Sequence, residues 1–307
     1  NVGSVGMRIS GTSGLPVTFA GGIFNSGVIG AAGSTDTSGP AGGIPVTGLW
    51  IDDFASIPTL VNSNQVGTGH GNIQASVSGA SPGQAIAILI NKDASGSGSL
   101  GSIVNSGSIV ASAQSTDTKI SFLNAIAIND LAGSLTSINN NGVITATTTT
   151  LDDNLQTRTA LNTATNTHNV DFENSGTVAG DIFFGSGQDT LHVFGTSSAP
   201  ASVIGNINFN GSNGTGNDTL TLGNSATVAG AILESGGGYV NINVGQGGSG
   251  SALIVNNTDF AGNTSVSNGT LQVGTLDVKS GATLGLTLSQ GFNRAAQVNQ
   301  NNPYVVA

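Results

Sequence analysis

The stretch Ile103-Val-Asn-Ser-Gly-Ser-Ile109 decides the fold, because close copies of it return along the 307-residue chain. In each copy an apolar residue stands on either side of a short turn that contains Asn and Gly. The copies are Ile23-Phe-Asn-Ser-Gly-Val-Ile29, Ile138-Asn-Asn-Asn-Gly-Val-Ile144 and Phe172-Glu-Asn-Ser-Gly-Thr-Val178, with looser copies around Asn62 and Asn224. Returns at intervals of about 20–50 residues are typical of repeat architectures.

Further segments repeat together with this motif. The pairs are Ala85-Ile-Ala-Ile88 with Ala125-Ile-Ala-Ile128, Leu100-Gly-Ser-Ile103 with Leu135-Thr-Ser-Ile138, and Asp189-Thr-Leu-His-Val193 with Asp218-Thr-Leu-Thr-Leu222. Within each segment apolar and polar residues alternate with a period of two, which predicts strands that have one inward face. Recurrence of whole segments favours coils that stack like onto like. The sequence therefore predicts an all-β parallel solenoid, a right-handed β-helix with about three short strands per coil and loop excursions.

Within the motif, each residue type has an expected role. Ile103 and Ile109 should point into the core. Gly107, and likewise Gly142 and Gly176, should supply a turn with positive φ, which a residue bearing Cβ resists. The Asn residues either adopt a left-handed conformation themselves or stack their amides in a hydrogen-bonded ladder. The candidate ladder residues are Asn25, Asn105, Asn140, Asn174 and Asn224.

The coils are not equally regular along the chain. Residues 1–84 repeat less cleanly, 85–262 form the regular coils, and 263–307 form a C-terminal group. We expect loop excursions over 31–45, which are rich in Gly, Ser and Pro, and over most of 147–169, with a short strand near Ala160-Leu161.

Composition excludes several classes of function. The net charge is −10, and only six residues are Lys or Arg. Binding to nucleic acid requires a basic surface, and so does binding to anionic headgroups, so we expect neither partner. No apolar run approaches the roughly 20 residues of a membrane-spanning helix. The chain has no Cys, so no disulfide holds the fold.

In their order and recurrence the motifs over roughly 85–290 resemble the passenger domains of bacterial autotransporters (type V secretion). The resemblance rests on the segments Ala125-Ile-Ala-Ile128 with Leu135–Ala146, Phe172–Ile182, and Gly185-Ser-Gly-Gln-Asp-Thr-Leu191. Ser267–Leu284 is similar to the stretch that leads to an autochaperone segment in that family. The resemblance implies a β-helix displayed outside the outer membrane, with its own C-terminal barrel as partner. It does not imply one activity, because such passengers include adhesins, biofilm components, proteases and esterases.

Candidate catalytic residues are few. Ser81 lies in Gly79-Ala-Ser-Pro-Gly83, but no helix pattern follows Pro82, so a turn is favoured over a nucleophile elbow. His70, His168 and His192 have no metal-ligand spacing; His70 indicates a turn, and His192 should face outward from a strand. Asp52-Asp53 and Asp152-Asp153 are sequence neighbours that point apart on a strand, so neither pair alone forms a catalytic dyad. Thr145-Ala-Thr-Thr-Thr149 occurs on one coil, whereas an ice-binding face would need the pattern on every coil.

Two segments match the core of the calcium-binding nonapeptide: Gly185-Ser-Gly-Gln-Asp189 and Gly214-Thr-Gly-Asn-Asp218. Calcium sites of that type need consecutive nine-residue repeats, and these copies are 29 residues apart. We therefore favour a structural turn that stacks Asp over Asp, with a calcium site at Asp189 and Asp218 as the alternative. No cofactor is otherwise expected.

The sequence leaves two hypotheses for function. The first is a non-enzymatic extracellular protein on the bacterial surface, an adhesin, biofilm component or scaffold that contacts glycans, cells or further copies of itself. The second is a carbohydrate-active β-helix that binds or cleaves polysaccharide in a groove beside the long loops. The small number of aromatic residues disfavours the second, because sugars stack on aromatic rings.

Overall fold

The computed structural model describes residues 4–35, 45–65, 69–79, 83–115, 123–149, 156–196, 198–211, 217–223, 225–235, 239–244, 252–260, 263–266, 271–278 and 283–286. Within these ranges the secondary structure is entirely β. No helix of these residues has the length and apolar character needed to span a membrane.

The strands follow in this order: β1 (Val5–Ile9), β2 (Val17–Thr18), β3 (Ile23–Asn25), β4 (Val28–Thr35), β5 (Val46–Ile51), β6 (Ala55–Asn62), β7 (Asn64–Gln65), β8 (Gly69–His70), β9 (Asn72–Gly79), β10 (Gly83–Ile90), β11 (Ser99–Asn105), β12 (Ser108–Ser115), β13 (Leu123–Asp130), β14 (Ser137–Asn140), β15 (Val143–Thr149), β16 (Gln156–Asn162), β17 (Asp171–Asn174), β18 (Thr177–Ala179), β19 (Asp181–Phe183), β20 (Thr190–Phe194), β21 (Ser202–Ile204), β22 (Ile207–Phe209), β23 (Asn217–Gly223), β24 (Ala226–Ala229), β25 (Ile232–Glu234), β26 (Tyr239–Val244), β27 (Ala252–Phe260), β28 (Asn263–Val266), β29 (Leu271–Val278) and β30 (Thr283–Leu286).

These strands form three columns of parallel strands, and the chain visits the columns in turn, which makes it a parallel β-solenoid. Column A contains β1, β5, β10, β13, β16, β19, β22 and β25. Column B contains β2, β3, β6, β11, β14, β17, β20, β23, β26, β28 and β30. Column C contains β4, β9, β12, β15, β18, β21 and β24. Strand β27 follows β24 in column C and β25 in column A, and β29 pairs with β27.

The register of the columns is the one that the repeated segments predict. Ala85 pairs with Ala125 and Ile88 with Ile128. Ile103 pairs with Ile138, and the segments that follow Asp189 and Asp218 pair residue for residue. The predicted fold class, with three strands in each coil, is confirmed.

The core lies inside the three columns. Ile103, Ile109 and Ile138 are fully buried, and Ile23, in the first coil, packs against the same cluster while partly exposed. Like side chains stack along the axis because equivalent positions of successive coils face the same way, about 4.8 Å apart. The rings of Phe184 and Phe209 show this directly: their centroids are 4.9 Å apart and their planes differ by 10°.

Over β5, β10 and β13, column A is buried on its outer face as well. Every residue of β13 is buried, and a second apolar cluster lies outside the main core. It consists of Ile86, Leu89 and Ile126, with Trp50 and Leu131 packed against them. The alternation in β10 and β13 therefore does not separate a buried face from a solvated one.

The two predicted loops are shorter than expected. Strand β4 continues to Thr35, so the excursion predicted over 31–45 includes part of a strand, and residues 36–44 lie outside the described part of the chain. In the second case β15 continues to Thr149, and β16 spans Gln156–Asn162 where a short strand near Ala160-Leu161 was expected. Strand β16 pairs in parallel with β13 over nearly its whole length, which is why so polar a segment is a strand.

The parallel pairing continues across the predicted boundary at residue 84, since β10 pairs with β5 from the less regular segment. The N-terminal coils thus use the same columns as the later ones. The division into 1–84, 85–262 and 263–307 remains a prediction.

Candidate functional site

The Asn residues of the repeated motif meet at the corner between columns B and C. The side-chain amide of each donates to the side-chain oxygen of the next coil, from Asn25 through Asn62, Asn105 and Asn140 to Asn174, with Nδ2–Oδ1 distances of 2.7–2.8 Å. We call these five residues the Asn ladder. All are buried, so the bonds satisfy amides that would otherwise be desolvated without partners.

The Asn ladder ends where the motif changes. Val193 takes the ladder position in the coil after Asn174, and Asn174 Nδ2 donates to the backbone oxygen of Ser202 at 3.1 Å. Leu222 takes that position in the following coil. Asn224, predicted as a ladder residue, lies outside the described residues, and the pairing of β20 with β23 gives the position to Leu222 in its place.

The role predicted for the motif glycines is wrong in one respect. Gly107, Gly142 and Gly176 are not among the residues with positive φ. They are required because the coils approach closely here. A Cβ on Gly142 would lie less than 3.0 Å from the oxygen of Gly107, and a Cβ on Gly176 equally close to the oxygen of Gly142. These same oxygens accept backbone hydrogen bonds from Val143 and Thr177 at 2.9 Å, so they cannot move away.

A second polar corner, between columns A and B, contains the two candidate calcium ligands. Asp189 and Asp218 are fully buried and lie on successive coils. Asp218 Oδ1 accepts a hydrogen bond from the backbone nitrogen of Asp189 at 2.7 Å, and Asp189 Oδ1 accepts one from Val170 at 2.7 Å. Each carboxylate therefore bridges two coils.

A third acid, Glu234, belongs to the same corner. The carboxyl of Glu234 lies close enough to Asp218 to raise its pKa. A Cβ on Gly211 would lie 2.9 Å from Asp218 Oδ2 and 3.7 Å from Glu234 Oε2, so the two carboxyls converge beside this glycine. We call Asp189, Asp218 and Glu234 the acid stack. Glu234 belongs to no repeated motif, and the sequence carried no signal for it.

Burial dominates the electrostatics of the acid stack. Desolvation raises the pKa of Asp189 to about 6, although the backbone N–H groups of Val170 and Gly185 lower it. Desolvation also raises the pKa of Asp218 to about 8, with further repulsion from Asp189 and Glu234. A buried carboxyl in such surroundings keeps its proton at a pH where an exposed one would lose it.

A third group of polar residues lies on the outside of column A. Arg8 donates from Nε to Asp52 Oδ2 at 2.8 Å, and its guanidinium carbon lies 4.7 Å from the centre of the Trp50 ring. Asn91 Nδ2 donates to the other oxygen of Asp52 at 2.9 Å. Burial raises the pKa of Asp52, but the hydrogen bonds from Asn91 and Arg8 together outweigh burial and lower it.

The other candidate acids and histidines are not brought together. Asp53 accepts from Ser95 at 2.9 Å rather than sharing the partners of Asp52. His192 lies between the buried Leu191 and Val193 and faces outward, as predicted, with its ring stacked on Phe194.

The remaining candidates stay apart as well. His70 lies in β8, which forms an antiparallel hairpin with β7, so the predicted simple turn is wrong. His168 is exposed. Ser81 and Asp152-Asp153 lie outside the described residues. In the described part of the chain no three His, Asp or Glu side chains are grouped so as to hold a metal ion.

One outer surface is free of charge over three coils. The outward positions of β9, β12 and β15 pair in register in rows along the axis, and we call three of these rows the hydroxyl face. The rows are Gln74, Val110, Thr145; Ser76, Ser112, Thr147; and Ser78, Gln114, Thr149. Thr145, Thr147 and Thr149 of the Thr-rich segment thus belong to a wider polar surface.

No protein-family model, curated protein or solved structure matches the chain.

Proposed function

We propose that this chain is the β-helical part of a protein displayed on the outer surface of a bacterial cell, where it acts without catalysis as an adhesin, biofilm component or surface scaffold. The observation that carries the proposal is the hydroxyl face. Within each row, neighbouring residues are about 4.8 Å apart along the axis. Neighbouring rows are about 6.7 Å apart along the strands. Such a surface suits many weak, simultaneous contacts with a neutral glycan or with a second copy of the chain.

The stacked coils support a role as a spacer. Buried apolar columns connect each coil to its neighbours, the Asn ladder adds hydrogen bonds between the coils from Asn25 to Asn174, and the chain has no Cys that could form a disulfide. In a solenoid each coil contacts only the coils beside it, so length can be added without a larger core.

The surface location rests on the resemblance of 85–290 to autotransporter passengers. In that reading the partner of the chain in its own protein is a C-terminal outer-membrane barrel. The scarcity of Lys and Arg agrees with a role that involves neither nucleic acid nor anionic headgroups.

The carbohydrate-active alternative draws on the group at Arg8, Trp50 and Asp52, the place in the described residues where a base, an acid and the single Trp meet. The contacts there argue against it. One face of the Trp50 ring carries the Arg8 guanidinium, and both oxygens of Asp52 already accept hydrogen bonds. A sugar would have to displace these contacts before it could stack.

Display on cells tests the proposal. The chain is fused to an outer-membrane carrier barrel in a laboratory strain that does not adhere, and cell settling and attachment to glycan-coated and bare surfaces are measured. Cells that display the chain should settle and attach faster than cells with the carrier alone. Ser76→Glu, Ser112→Glu and Thr147→Glu together should abolish the gain, because three like charges then lie in one row.

The matched control keeps the row neutral, with Ser76→Thr, Ser112→Thr and Thr147→Ser, and should behave as the wild type. Thermal unfolding of each purified variant establishes that the charged row has not unfolded the chain. Equal settling and attachment by wild-type and carrier-only cells would refute the proposal. Release of sugar fragments from a polysaccharide by the purified chain would support the carbohydrate-active alternative.

A further inference from the structure

One carboxyl oxygen of Asp189 and one of Asp218 are reached neither by water nor by a hydrogen-bond donor of the described residues. Asp189 and Asp218 are both 0% exposed. Their Oδ1 atoms accept backbone hydrogen bonds, whereas their Oδ2 atoms are buried with no hydrogen-bond donor among the described residues. An ionised carboxylate needs donors on both oxygens when it is removed from water, so these two side chains are poorly suited to carry full charge.

Among the residues that the structure describes, no cation compensates the charge of the stack. Asp218 pairs in register with Val240, and Asp189 bonds to Val170, and both valines are buried. Of the basic residues in the described part of the chain, Arg8 binds Asp52, and Lys92 and Arg158 are exposed. His192 of β20 faces outward, as do Asp171 and Glu173 of β17. The charge of Glu234 raises the pKa of both Asp189 and Asp218, and the charge of Asp189 also raises that of Asp218.

We propose that the acid stack is a proton-binding site, whose bound protons hold the coils of β20, β23 and β25 together and whose release as the pH rises loosens them. A proton between Asp218 and Glu234 turns two repelling carboxylates into a donor and an acceptor. A proton on Asp189 removes the second buried charge of the corner.

The raised pKa values support this assignment and set its direction. A carboxyl whose pKa is higher in the folded chain binds more protons when folded, so the free energy of unfolding falls as the pH rises. The stabilisation is complete below about pH 3.8, the ordinary pKa of Asp. It is lost as the pH rises through about 6 for Asp189 and about 8 for Asp218.

A proton fits the stack better than a metal ion does. No group of three metal-ligating side chains is formed in the described residues. One oxygen of each Asp is already committed to the backbone of a neighbouring coil. Calcium takes six to eight oxygen ligands, and the two Gly-x-Gly-x-Asp segments are 29 residues apart rather than consecutive.

The test compares the pH dependence of unfolding in the wild type and in Asp218→Asn. The Asn keeps an oxygen for the backbone of Asp189 and presents an amide to Glu234, but it cannot titrate. Between pH 6 and pH 8 the unfolding constant of the wild type, from urea titrations, should rise about tenfold per pH unit. In Asp218→Asn only the small part of this rise near pH 6, which Asp189 contributes, should remain, whereas the full rise should persist in the exposed control Glu173→Gln.

A second measurement keeps the proposal falsifiable if Asp218→Asn fails to fold. The infrared band of a protonated carboxylic acid should be present in the wild type at pH 7, and Asp189→Asn should remove only the part of the unfolding rise near pH 6. Absence of that band, or an unchanged rise in Asp218→Asn, would overturn the proposal. So would calcium chloride that binds the wild type in calorimetry and restores its stability at pH 8.5, because the stack would then be a cation site.

Discussion

Asn105 Nδ2 donates a hydrogen bond of 2.7 Å to Asn140 Oδ1 across 35 residues of sequence. The two residues also occupy paired positions of β11 and β14. A one-residue slip of either strand would turn its Asn outward. The Asn of the other strand would then stay buried without this hydrogen bond. The Asn ladder therefore fixes the register of the coils, which apolar side chains of similar shape fix less strictly.

Asn105→Ala should lower the free energy of unfolding by about 1–3 kcal/mol, since it removes two buried side-chain hydrogen bonds. Asn62 and Asn140 keep other partners, which holds the loss within that range. Urea unfolding measures the change. Asn139→Ala, at the exposed neighbouring position, should change stability by no more than about 0.5 kcal/mol. Equal losses in the two variants would contradict a structural role for the ladder.

Gly142→Ala should destabilise the chain by about 1–3 kcal/mol, because the new methyl group meets the oxygen of Gly107. Gly27 occupies the same place in the first coil, where a Cβ would have no atom within 4 Å. Gly27→Ala should therefore be close to neutral. Thermal unfolding of both variants separates steric contact from backbone conformation, since a need for positive φ would penalise the two substitutions alike.

Asn139→Lys and Asn139→Glu should differ in stability by about 1–2 kcal/mol at low salt. Asn139 pairs in register with Glu173, so Lys would be attracted and Glu repelled across about 4.8 Å. The difference should shrink at 1 M salt. The same two substitutions at Val104, which pairs with Val61 and Asn139, provide the control and should differ little. A difference that salt leaves unchanged would point to packing rather than charge.

Asp52 should produce a loss of stability in acid. Its pKa is lowered in the folded chain, so its contribution is present above the ordinary value of 3.8 and is lost as the pH falls through the folded-state pKa. In urea unfolding, Asp52→Asn should reduce the loss of stability that occurs as the pH falls below about 4. Arg8→Gln should remove only part of this acid-induced loss of stability, because Asn91 still donates to Asp52. If Asp52→Asn loses as much stability in acid as the wild type does, other carboxyls cause the loss.

The repeats alone were sufficient to predict the fold. Ala85 and Ala125, or Ile103 and Ile138, are identical because they occupy the same place in successive coils, so sequence spacing carries the register directly. The extent of β16 was missed because its outward residues are polar, and its assignment depends on pairing with β13 rather than on its own pattern.

The polar corners could be predicted only in part. Asp189 and Asp218 share a motif, which indicated that they stack. Glu234 reaches them from column A, and nothing in its own segment signals a contact with column B. For the motif glycines, the sequence indicated that a side chain is not tolerated, but it could not distinguish an unusual backbone angle from a neighbouring coil in contact.

The four side-chain bonds of the Asn ladder all run in one direction, with the amide nitrogen of each residue directed toward the coil nearer the C-terminus. Aligned amide dipoles polarise one another, so the Asn ladder has a net dipole moment along the axis although it bears no charge. Its two termini are chemically unlike: Asn25 presents a carbonyl oxygen, and Asn174 presents an amide group that ends on Ser202. A coil added before Asn25 could extend the Asn ladder only by donating a hydrogen bond to the Asn25 side-chain oxygen. The uncharged corner therefore distinguishes one direction of coil addition from the other.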